Sequence, residues 1–347
     1  MAQESRPVTI EDVAARAGVS RALVSIVLRG VPGASQTSRE RVLQAAAELD
    51  YRPDQRARLL GSSRSHTVGV VYGLHHPFHA EVVEQLYAAA AGSPWRLALE
   101  PSAPSRTERT AVQALLDYRS EVVVLVGSTL PGNALAELAQ RVPVIVVART
   151  LRGVPVDTVR TDDEAGARLA VDHLVALGHR RIAHVHGGRA PGAAERRAGY
   201  RAALRTAGLD PELIEGGLGD ADGEWAAAEV LRSEGPSAVC AFNDPCAAGL
   251  LAAARARGVR VPHALSLVGY DDTALAALST VALTTVRQDA GAIARHALDR
   301  AIARAEDATL PVTEHVVPPH LVVRSTTAPP AAVYGRGAGT ATQSKAG

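Results

Sequence analysis

Two polar residues stand directly after buried, strand-like segments, where they could bind a hydroxylated ligand. Asn243 follows the apolar run at residues 238–242, and Asp271 follows the run at 265–270. A carboxamide and a carboxylate together offer the donors and acceptors that the hydroxyl groups of a polyol need. In open α/β sheets, ligands bind outside the carboxyl ends of the strands. The pattern therefore predicts a polyol site, although both residue types are also common in turns and helix caps.

Other groups of reactive side chains favour structural roles. His75, His76 and His79 follow the first strand-like run. A metal site needs a convergent geometry that spacing does not supply, so a loop at the rim of the cleft is favoured. The acidic run at 162–164 is interpreted as a helix start, because carboxylates are favourable at the positive end of the helix dipole. The sequence has no GxxxxGK(S/T) loop, no GxGxxG after the first strand and no GxSxG elbow. We therefore expect no enzyme activity, no cofactor and no metal.

Short β-branched runs alternate with amphipathic segments from residue 67 onward, which is typical of a parallel α/β fold. The expected strands are 67–72, 96–100, 122–126, 144–148, 181–185, 238–242 and 265–270. The expected helices are 81–91, 107–118, 164–177, 195–207, 224–233 and 245–257. Two stacked lobes, each built on a doubly wound parallel sheet, account for this number of elements. A ligand would then bind in the cleft between the lobes, at the strand ends.

The first fifty residues have a different pattern, that of short helices. Thr9 and Asp12 have the spacing of a capping box, and apolar residues recur at helical spacing from Ile10 to Ala17. Gly18 can supply a left-handed turn, and Ser20 can cap a second helix. This punctuation is typical of a helix-turn-helix motif, although a helical hairpin inside an ordinary core would give a similar pattern.

The second helix has an apolar face and an outer face. The apolar face carries Leu23, Val24, Val27 and Leu28. The outer face, which would enter a major groove, carries Arg21, Ala22, Ser25, Ile26 and Arg29. A third helix that opens at Ser35 or Ser38 would complete a small core with Val42, Leu43, Ala46 and Leu49. Tyr51, Arg52 and Pro53 then break the helix, and a short segment follows from Gln55 to Leu60.

Composition and length predict a globular protein of more than one domain. The chain has 347 residues, of which 47% are hydrophobic. Its formal net charge of +1 gives no overall attraction to nucleic acid. Cys240 and Cys246 have apolar neighbours, which favours buried free thiols in a reducing compartment. The sequence has no hydrophobic signal core and no apolar run that could span a bilayer, so we expect a cytoplasmic protein without a membrane partner.

The amino-terminal segment to about residue 61, called the head below, resembles the head of the lactose-repressor (LacI/GalR) family of bacterial transcription regulators. TIEDVAARAGVSRALVSIVL, followed by YRPDQRARLL, has the motif order of the family head. Four later segments carry the same resemblance: DDEAGARLAVDHLVALGHRRIAHVHGG, AERRAGYRAALRTAGL, AFNDPCAAGLLAAARARGVRVP and SLVGYDDTALAALSTVALTTVRQD. The resemblance covers nearly the whole chain to about residue 328.

The resemblance implies three parts. A helix-turn-helix head at 1–61 ends in a hinge helix at about 54–60. An effector-binding and dimerisation domain at 62–328 is similar to periplasmic sugar-binding proteins. Its lobe 1 is expected at about 66–161 and 291–320, and its lobe 2 at about 162–290 and 321–328. The tail at 329–347 is rich in Ala, Gly, Pro and Thr, which predicts disorder.

The resemblance also implies which residues contact DNA. Leu60 matches the hinge-helix leucine that wedges into the minor groove, with Ala57 beside it. Ile26 departs from the family, because it stands where an arginine usually reads a base. Isoleucine can contact a thymine methyl but cannot make the bidentate guanine contact, so we predict an atypical half-site. The full set of expected DNA contacts is Thr9, Ser20, Arg21, Ala22, Ser25, Ile26, Arg29, Tyr51, Ala57 and Leu60.

For the effector site, the resemblance assigns Arg196 to effector oxygens and Trp225 to stacking on a sugar, with ordinary packing as the alternative for Trp225. Ala148 stands where sugar-responsive members often carry an aspartate, so one hydroxyl contact is missing. Arg149 and Arg196 suggest an anionic effector such as a sugar phosphate. The expected effector contacts are Phe78, Arg149, Arg196, Trp225, Asn243, Asp271 and Gln288.

These features predict a ligand-responsive transcriptional regulator, a repressor, that binds a pseudo-palindromic operator in double-stranded DNA. A homodimer is expected, because one head buries too little surface for high specificity. The family's tetramerising members carry a leucine-heptad tail, which this chain lacks. The hinge segment is too short to be a stable helix alone and should fold when paired on DNA. The alternative is a small-molecule-binding module or enzyme on the same scaffold with no role on DNA, which the head disfavours.

Overall fold

A computed structural model describes residues 8–28, 30–51 and 64–330. These residues belong to two compact units, Met1–Ser65 and His66–Gly347. Several expectations concern residues outside the described ranges: the contact at Arg29, the hinge helix at 54–60 with Ala57 and Leu60, and the tail from residue 331.

The first unit contains three helices, α1 (Ile10–Ala17), α2 (Arg21–Leu28) and α3 (Gln36–Glu48). The capping box of α1 is confirmed, since the Asp12 amide donates to the Thr9 hydroxyl and the Thr9 amide donates to Asp12 Oδ2 at 2.7 Å. Gly18 ends α1 in the predicted left-handed conformation, with φ at 63°. Ser35, and not Ser38, caps α3, because the Ser35 hydroxyl accepts from the Ser38 amide.

Small and β-branched side chains of all three helices form the core of this unit: Val13, Ala14, Ala17, Val24, Val27, Val42, Ala45 and Ala46. The prediction that Leu43 belongs to this core is wrong, because Leu43 is 51% exposed. A residue one position after Val42 lies roughly 100° further around the helix, away from the buried face. Ala45 occupies the buried position instead.

The second unit contains two sheets, and the first of them defines lobe 1. Its six parallel strands are β1 (Thr67–Gly73), β2 (Arg96–Ser102), β3 (Val122–Val126), β4 (Val144–Val147), β5 (Asp157–Thr161) and β11 (Glu314–Val317), in the order β11-β5-β4-β3-β1-β2. Its helices are α4 (Pro77–Ala90), α5 (Glu108–Asp117), α6 (Gly132–Ala139) and α12 (Ala290–Glu306). Apolar clusters form on both faces of the sheet, so a central strand such as β3 is buried throughout.

The second sheet defines lobe 2. Its strands are β6 (Ile182–His186), β7 (Glu212–Glu215), β8 (Ala238–Ala241), β9 (Ser266–Asp271), β10 (Thr284–Arg287) and β12 (His320–Val322), in the order β12-β10-β9-β8-β6-β7. Its helices are α7 (Asp163–Ala176), α8 (Ala193–Thr206), α9 (Asp220–Val230), α10 (Asp244–Ala256) and α11 (Ala274–Ala277). Apolar clusters again form on both faces.

The expectation of a wholly parallel second sheet needs one correction, because β12 runs antiparallel to β10. The chain passes between the lobes three times, after β5, after β10 and after β11. Since β11 is parallel to β5, it ends at the cleft edge of lobe 1. The chain therefore enters lobe 2 at the edge where the parallel strands end, and β12 must run away from the cleft.

Candidate functional site

A cavity of about 130 Å³ lies between the lobes at the carboxyl ends of their strands. Lobe 1 contributes side chains from the start of α4 and from the loops after β3 and β4. Lobe 2 contributes side chains from α8 and from the ends of β8 and β9. We call this space the cleft cavity. It brings together five of the seven expected effector contacts: Phe78, Arg196, Asn243, Asp271 and Gln288.

Asp271 is the last residue of β9 and is buried in the wall of the cleft cavity. Gln288 Nε2 donates to its Oδ1 at 2.7 Å, and Arg196 Nη2 lies 3.8 Å from the same oxygen. Burial raises the pKa of the Asp271 carboxyl well above its usual range, and Arg196 opposes that shift. Its φ of 109° is unusual for a residue with a side chain. Such strained positions concentrate at functional sites.

Arg196 is buried on the first turn of α8 and binds other groups of the protein. Its Nε donates to Asp163 Oδ1 at 2.8 Å, and its Nη1 donates to the Phe242 carbonyl at 2.6 Å. The guanidinium also lies 3.6 Å from the centre of the Tyr270 ring. Burial alone would lower the pKa of Arg196, but the carboxylates of Asp163 and Asp271 raise it, so the group stays charged. Its charge is thus largely balanced before any ligand binds.

Asn243 has the capping role that the sequence left open, and it also lines the cleft cavity. Its Oδ1 accepts from the Cys246 amide at 3.0 Å, which caps α10. Its Nδ2 donates to the Leu218 carbonyl at 2.9 Å. Both ends of the carboxamide are therefore held in place by the protein.

His79 lines the cleft cavity, whereas the sequence predicts that it lies in a loop at the rim of the cleft. That prediction is wrong for His79, because α4 begins at Pro77 and includes it. Proline suits the first helical position, since its fixed φ is that of a helix. His79 Nδ1 accepts from the Gly73 amide at 3.1 Å. Burial, with a smaller contribution from the adjacent His76, lowers the pKa of His79 to about 3. A neutral imidazole whose Nδ1 accepts carries its hydrogen on Nε2, so His79, which lines the cleft cavity, is a donor at that atom.

Arg149 lines a second cavity, of about 190 Å³, next to the first. We call it the arginine cavity. It is lined by Ser128, Thr129, Arg149, Thr150, Arg189, Ala190, Pro191, Gly192 and Glu195. Thr129, Ala190 and Pro191 line both cavities, so the two adjoin.

Ala148 lies at the cleft cavity, whereas Trp225 lies away from it. Ala148 lines the cleft cavity with a left-handed φ of 59°, a conformation that alanine rarely adopts. Trp225 lies on α9, is 64% exposed and is not among the residues that line either cavity. The structure therefore does not bring Trp225 together with the other expected contacts.

In the first unit, the outer side of α2 is accessible. Arg21 and Ala22 are exposed, whereas Ser25 and Ile26 are half-buried. Arg21 pairs with Glu11 at 3.0 Å, and the Ser20 hydroxyl accepts from the Leu23 amide at 3.2 Å. Of the remaining expected contacts, Thr9 caps α1 and Tyr51 packs half-buried against the core.

The part of the chain that the structure describes has neither a group of metal-binding side chains nor a helix that could cross a membrane. No three or more His, Cys, Asp or Glu side chains there are grouped so as to hold a metal ion. None of the helices in those ranges has both the length and the apolar character needed to cross a membrane.

Comparisons with known proteins agree with both units. Residues 9–54 match the bacterial regulatory proteins of the lacI family, and residues 171–327 match a periplasmic binding protein-like domain. The HTH-type transcriptional regulator GalR of Escherichia coli (strain K12) is 34% identical over 330 residues, which covers 93% of this chain and 96% of GalR.

Two solved structures extend the similarity. The lac repressor dimer bound to operator and the anti-inducer ONPF is 30% identical, with a TM-score of 0.81 over 93% of this chain and all of that one. A complex of the transcriptional regulator CelR with cellobiose is 30% identical, with a TM-score of 0.68 over 92% of this chain and all of that one.

A helix-turn-helix unit followed by a two-lobed periplasmic-binding-like domain defines a class of transcriptional regulators. Within that class, the chain belongs to the lacI family.

Proposed function

We propose that this protein is a ligand-responsive regulator that binds operator DNA as a homodimer and takes a small hydroxylated effector between its lobes. One observation carries the proposal. A chain with a helix-turn-helix unit also holds a cavity between two lobes, lined by the strained, buried Asp271 and its partner Gln288. An enzyme or a binding module without a DNA role would have no use for the first unit.

The DNA-reading surface is the outer side of α2. Arg21 and Ala22 are exposed there, and an α-helix of this kind fits the major groove. The related lac repressor binds its operator as a dimer, which supports the same arrangement here. We propose a pseudo-palindromic operator, repression as the outcome, and an atypical half-site where Ile26 replaces an arginine. The hinge segment at 54–60 would fold on DNA, with Leu60 in the minor groove.

The effector would be a sugar or a sugar derivative. Asp271, Gln288 and the His79 Nε2 hydrogen provide acceptors and donors in one cavity, and Phe78 provides an apolar surface. Polyols combine hydroxyl groups with apolar faces, so they suit such a lining. The binding of cellobiose by the related CelR points to the same chemical class. Trp225 would contact the effector only if α9 moves toward the cavity.

Effector binding would be linked to DNA binding through the position of the lobes. Glu81 on α4 in lobe 1 accepts from the Ala274 amide at the start of α11 in lobe 2, at 3.1 Å. This hydrogen bond joins the lobes outside the cavity. A ligand that favours a different arrangement of the two lobes would lengthen or break the bond. The ligand can shift the equilibrium only by its difference in affinity for the two states.

The proposal includes the parts and the setting of the protein. The head would occupy 1–61 and the effector domain 62–328, with the lobes divided near 161, 290 and 320. We propose no catalytic role, no cofactor and no membrane partner, and a cytoplasmic location where operator DNA is found.

Selection of duplexes from a random DNA library by the full-length protein tests the proposal. Ala22→Glu places a carboxylate on the exposed outer side of α2, where DNA phosphates repel it. Ala15→Glu places the same charge at an exposed position of α1 and serves as the matched control. We expect a two-fold symmetric sequence with wild type and Ala15→Glu, and no enrichment with Ala22→Glu. Equal enrichment by both variants would reject α2 as the reading helix.

A further inference from the structure

The arginine cavity has the chemistry of an anion site. Arg149 lies on its lobe 1 side and Arg189 on its lobe 2 side, and Glu195 is the one carboxylate in the lining. The lining therefore has an excess of one positive charge. Ser128, Thr129 and Thr150 also line the cavity, and the Thr129 hydroxyl donates to Glu108 Oε2 at 3.1 Å. We propose that this cavity binds a phosphate group of the effector, an inference that rests on the proposed function and extends it.

Both arginines have unused donors. Arg149 Nη1 donates to the carbonyls of Ser128, at 3.0 Å, and Leu130, at 2.6 Å. These bonds fix the side chain in place, while its Nε and Nη2 have no partner among the described residues. Arg189 is exposed and has no ion-pair or hydrogen-bond partner within the same ranges. A planar guanidinium with two free donors suits bidentate binding of an oxyanion.

The start of α8 adds to this potential. Gly192 caps the helix and has no side chain to accept from its first amides. The first amide of the helix, that of Ala193, donates to the Ala190 carbonyl at 3.0 Å, and the helix dipole favours an anion at this end. Thr150 also lines the cavity, and its buried Oγ1 has no hydrogen-bond partner in the described part of the chain.

Arg196 does not belong to this site, which changes the expectation from the sequence. The sequence suggested Arg149 and Arg196 as the pair that binds an anion. Arg196 is instead paired with Asp163 and lies 3.8 Å from Asp271, in the wall of the other cavity. Arg189 replaces it as the second cation beside Arg149.

The two cavities can accept one molecule. They share Thr129, Ala190 and Pro191, so a ligand can extend from one into the other. The hydroxyl groups of the effector would lie beside Asp271 and Gln288, and its phosphate between Arg149 and Arg189. A neutral sugar would leave the arginines without a partner. The effector class is therefore a sugar phosphate.

Calorimetric titration of the full-length protein with inorganic phosphate, against sodium chloride of equal ionic strength, tests the site. We expect saturable binding that weakens about tenfold or more in Arg189→Gln, because the variant loses the charge-assisted hydrogen bonds of the guanidinium. Arg152→Gln is the matched control, because Arg152 is an exposed arginine outside the lining. Arg149→Gln should weaken binding as well, but Arg189→Gln is decisive because Arg189 makes no structural bond in the described ranges.

Three results would overturn the inference. The first is the absence of saturable phosphate binding, and the second is an equal loss of binding in Arg152→Gln and Arg189→Gln. The third concerns the source of the phosphate. In competition titrations with hexose and pentose phosphates, at least one sugar phosphate should displace inorganic phosphate and bind more tightly. If none competes, the cavity binds free phosphate and not the effector. Operator selection is independent of these titrations, so failure here leaves the proposed DNA-binding role standing.

Discussion

Replacement of Arg196 by alanine should destabilise the effector domain strongly. The Asp163 side chain is 5% exposed, and its Oδ1 accepts from Arg196 Nε at 2.8 Å. Removal of the arginine leaves this carboxylate buried without its cation. Breaking a buried pair from one side costs about 3–5 kcal/mol. For a domain of this size each kcal/mol lowers Tm by roughly 2–4 °C, so we expect a fall of roughly 6–20 °C.

Urea unfolding and calorimetry of Arg196→Ala would measure the loss. Arg205→Ala is the control, because Arg205 is an exposed arginine in the last turn of the same helix, where a substitution changes stability by about 0.5 kcal/mol or less. In the background of Asp163→Ala, the Arg196→Ala change should cost much less, since the unpaired charge is gone. A loss below about 1 kcal/mol for Arg196→Ala, or strictly additive losses in the double variant, would refute the role assigned to this pair.

Three further changes test individual features. Ala148→Gly should raise the free energy of unfolding by about 0.5–1 kcal/mol, because the left-handed φ of 59° strains alanine but not glycine; unchanged or lower stability in urea would contradict this. His79 is neutral when folded, so its contribution to stability is complete above its ordinary pKa of 6.5 and is lost as the pH falls toward about 3. His79→Phe should therefore make the acid-side loss of stability shallower than in wild type, and an identical pH profile would count against the buried neutral imidazole. Gly199→Ala should cost about 1–3 kcal/mol by calorimetry, because the added Cβ would lie 2.2 Å from the Glu164 carbonyl oxygen, and a wild-type Tm would show that α7 and α8 can separate freely.

The elements that could be predicted from the sequence are those whose own residues carry the signal. The bounds of α1 follow from the cap at Thr9 and the left-handed Gly18. Strand β3 is an unbroken apolar run, since both faces of its sheet are covered. Asn243 and Asp271 could be placed at the cleft because each follows such a run.

The elements that escaped prediction depend on distant partners. Strand β5 reads DTVRT, and the charge of Asp157 is balanced by Arg300 Nε at 2.7 Å, from α12. Strand β10 reads TTVR, and its Thr285 hydroxyl donates to Asp244 at 2.6 Å. Polar residues at buried strand positions look like loop residues until those partners are known. Strands β7, β11 and β12 and helices α6, α11 and α12 were missed as well.

The roles of the arginines escaped prediction for the same reason. The sequence suggests both Arg149 and Arg196 as cations for an anionic effector. Only the fold shows that Arg196 is paired with Asp163. Arg189 is not among the predicted effector contacts, because nothing in its neighbourhood in the sequence indicates that it lines the same cavity as Arg149.

The proposed link between the cleft and DNA predicts that a bound effector changes the affinity of the full-length protein for its selected duplex. The affinity is measured by fluorescence anisotropy with and without the sugar phosphate that most raises Tm. Coupling between two sites changes affinity by about 5-fold to 150-fold, so we predict a change in that range, and its loss in Gln288→Ala, which removes a cavity residue. A compound that binds the cavities and leaves operator affinity unchanged would contradict the claim.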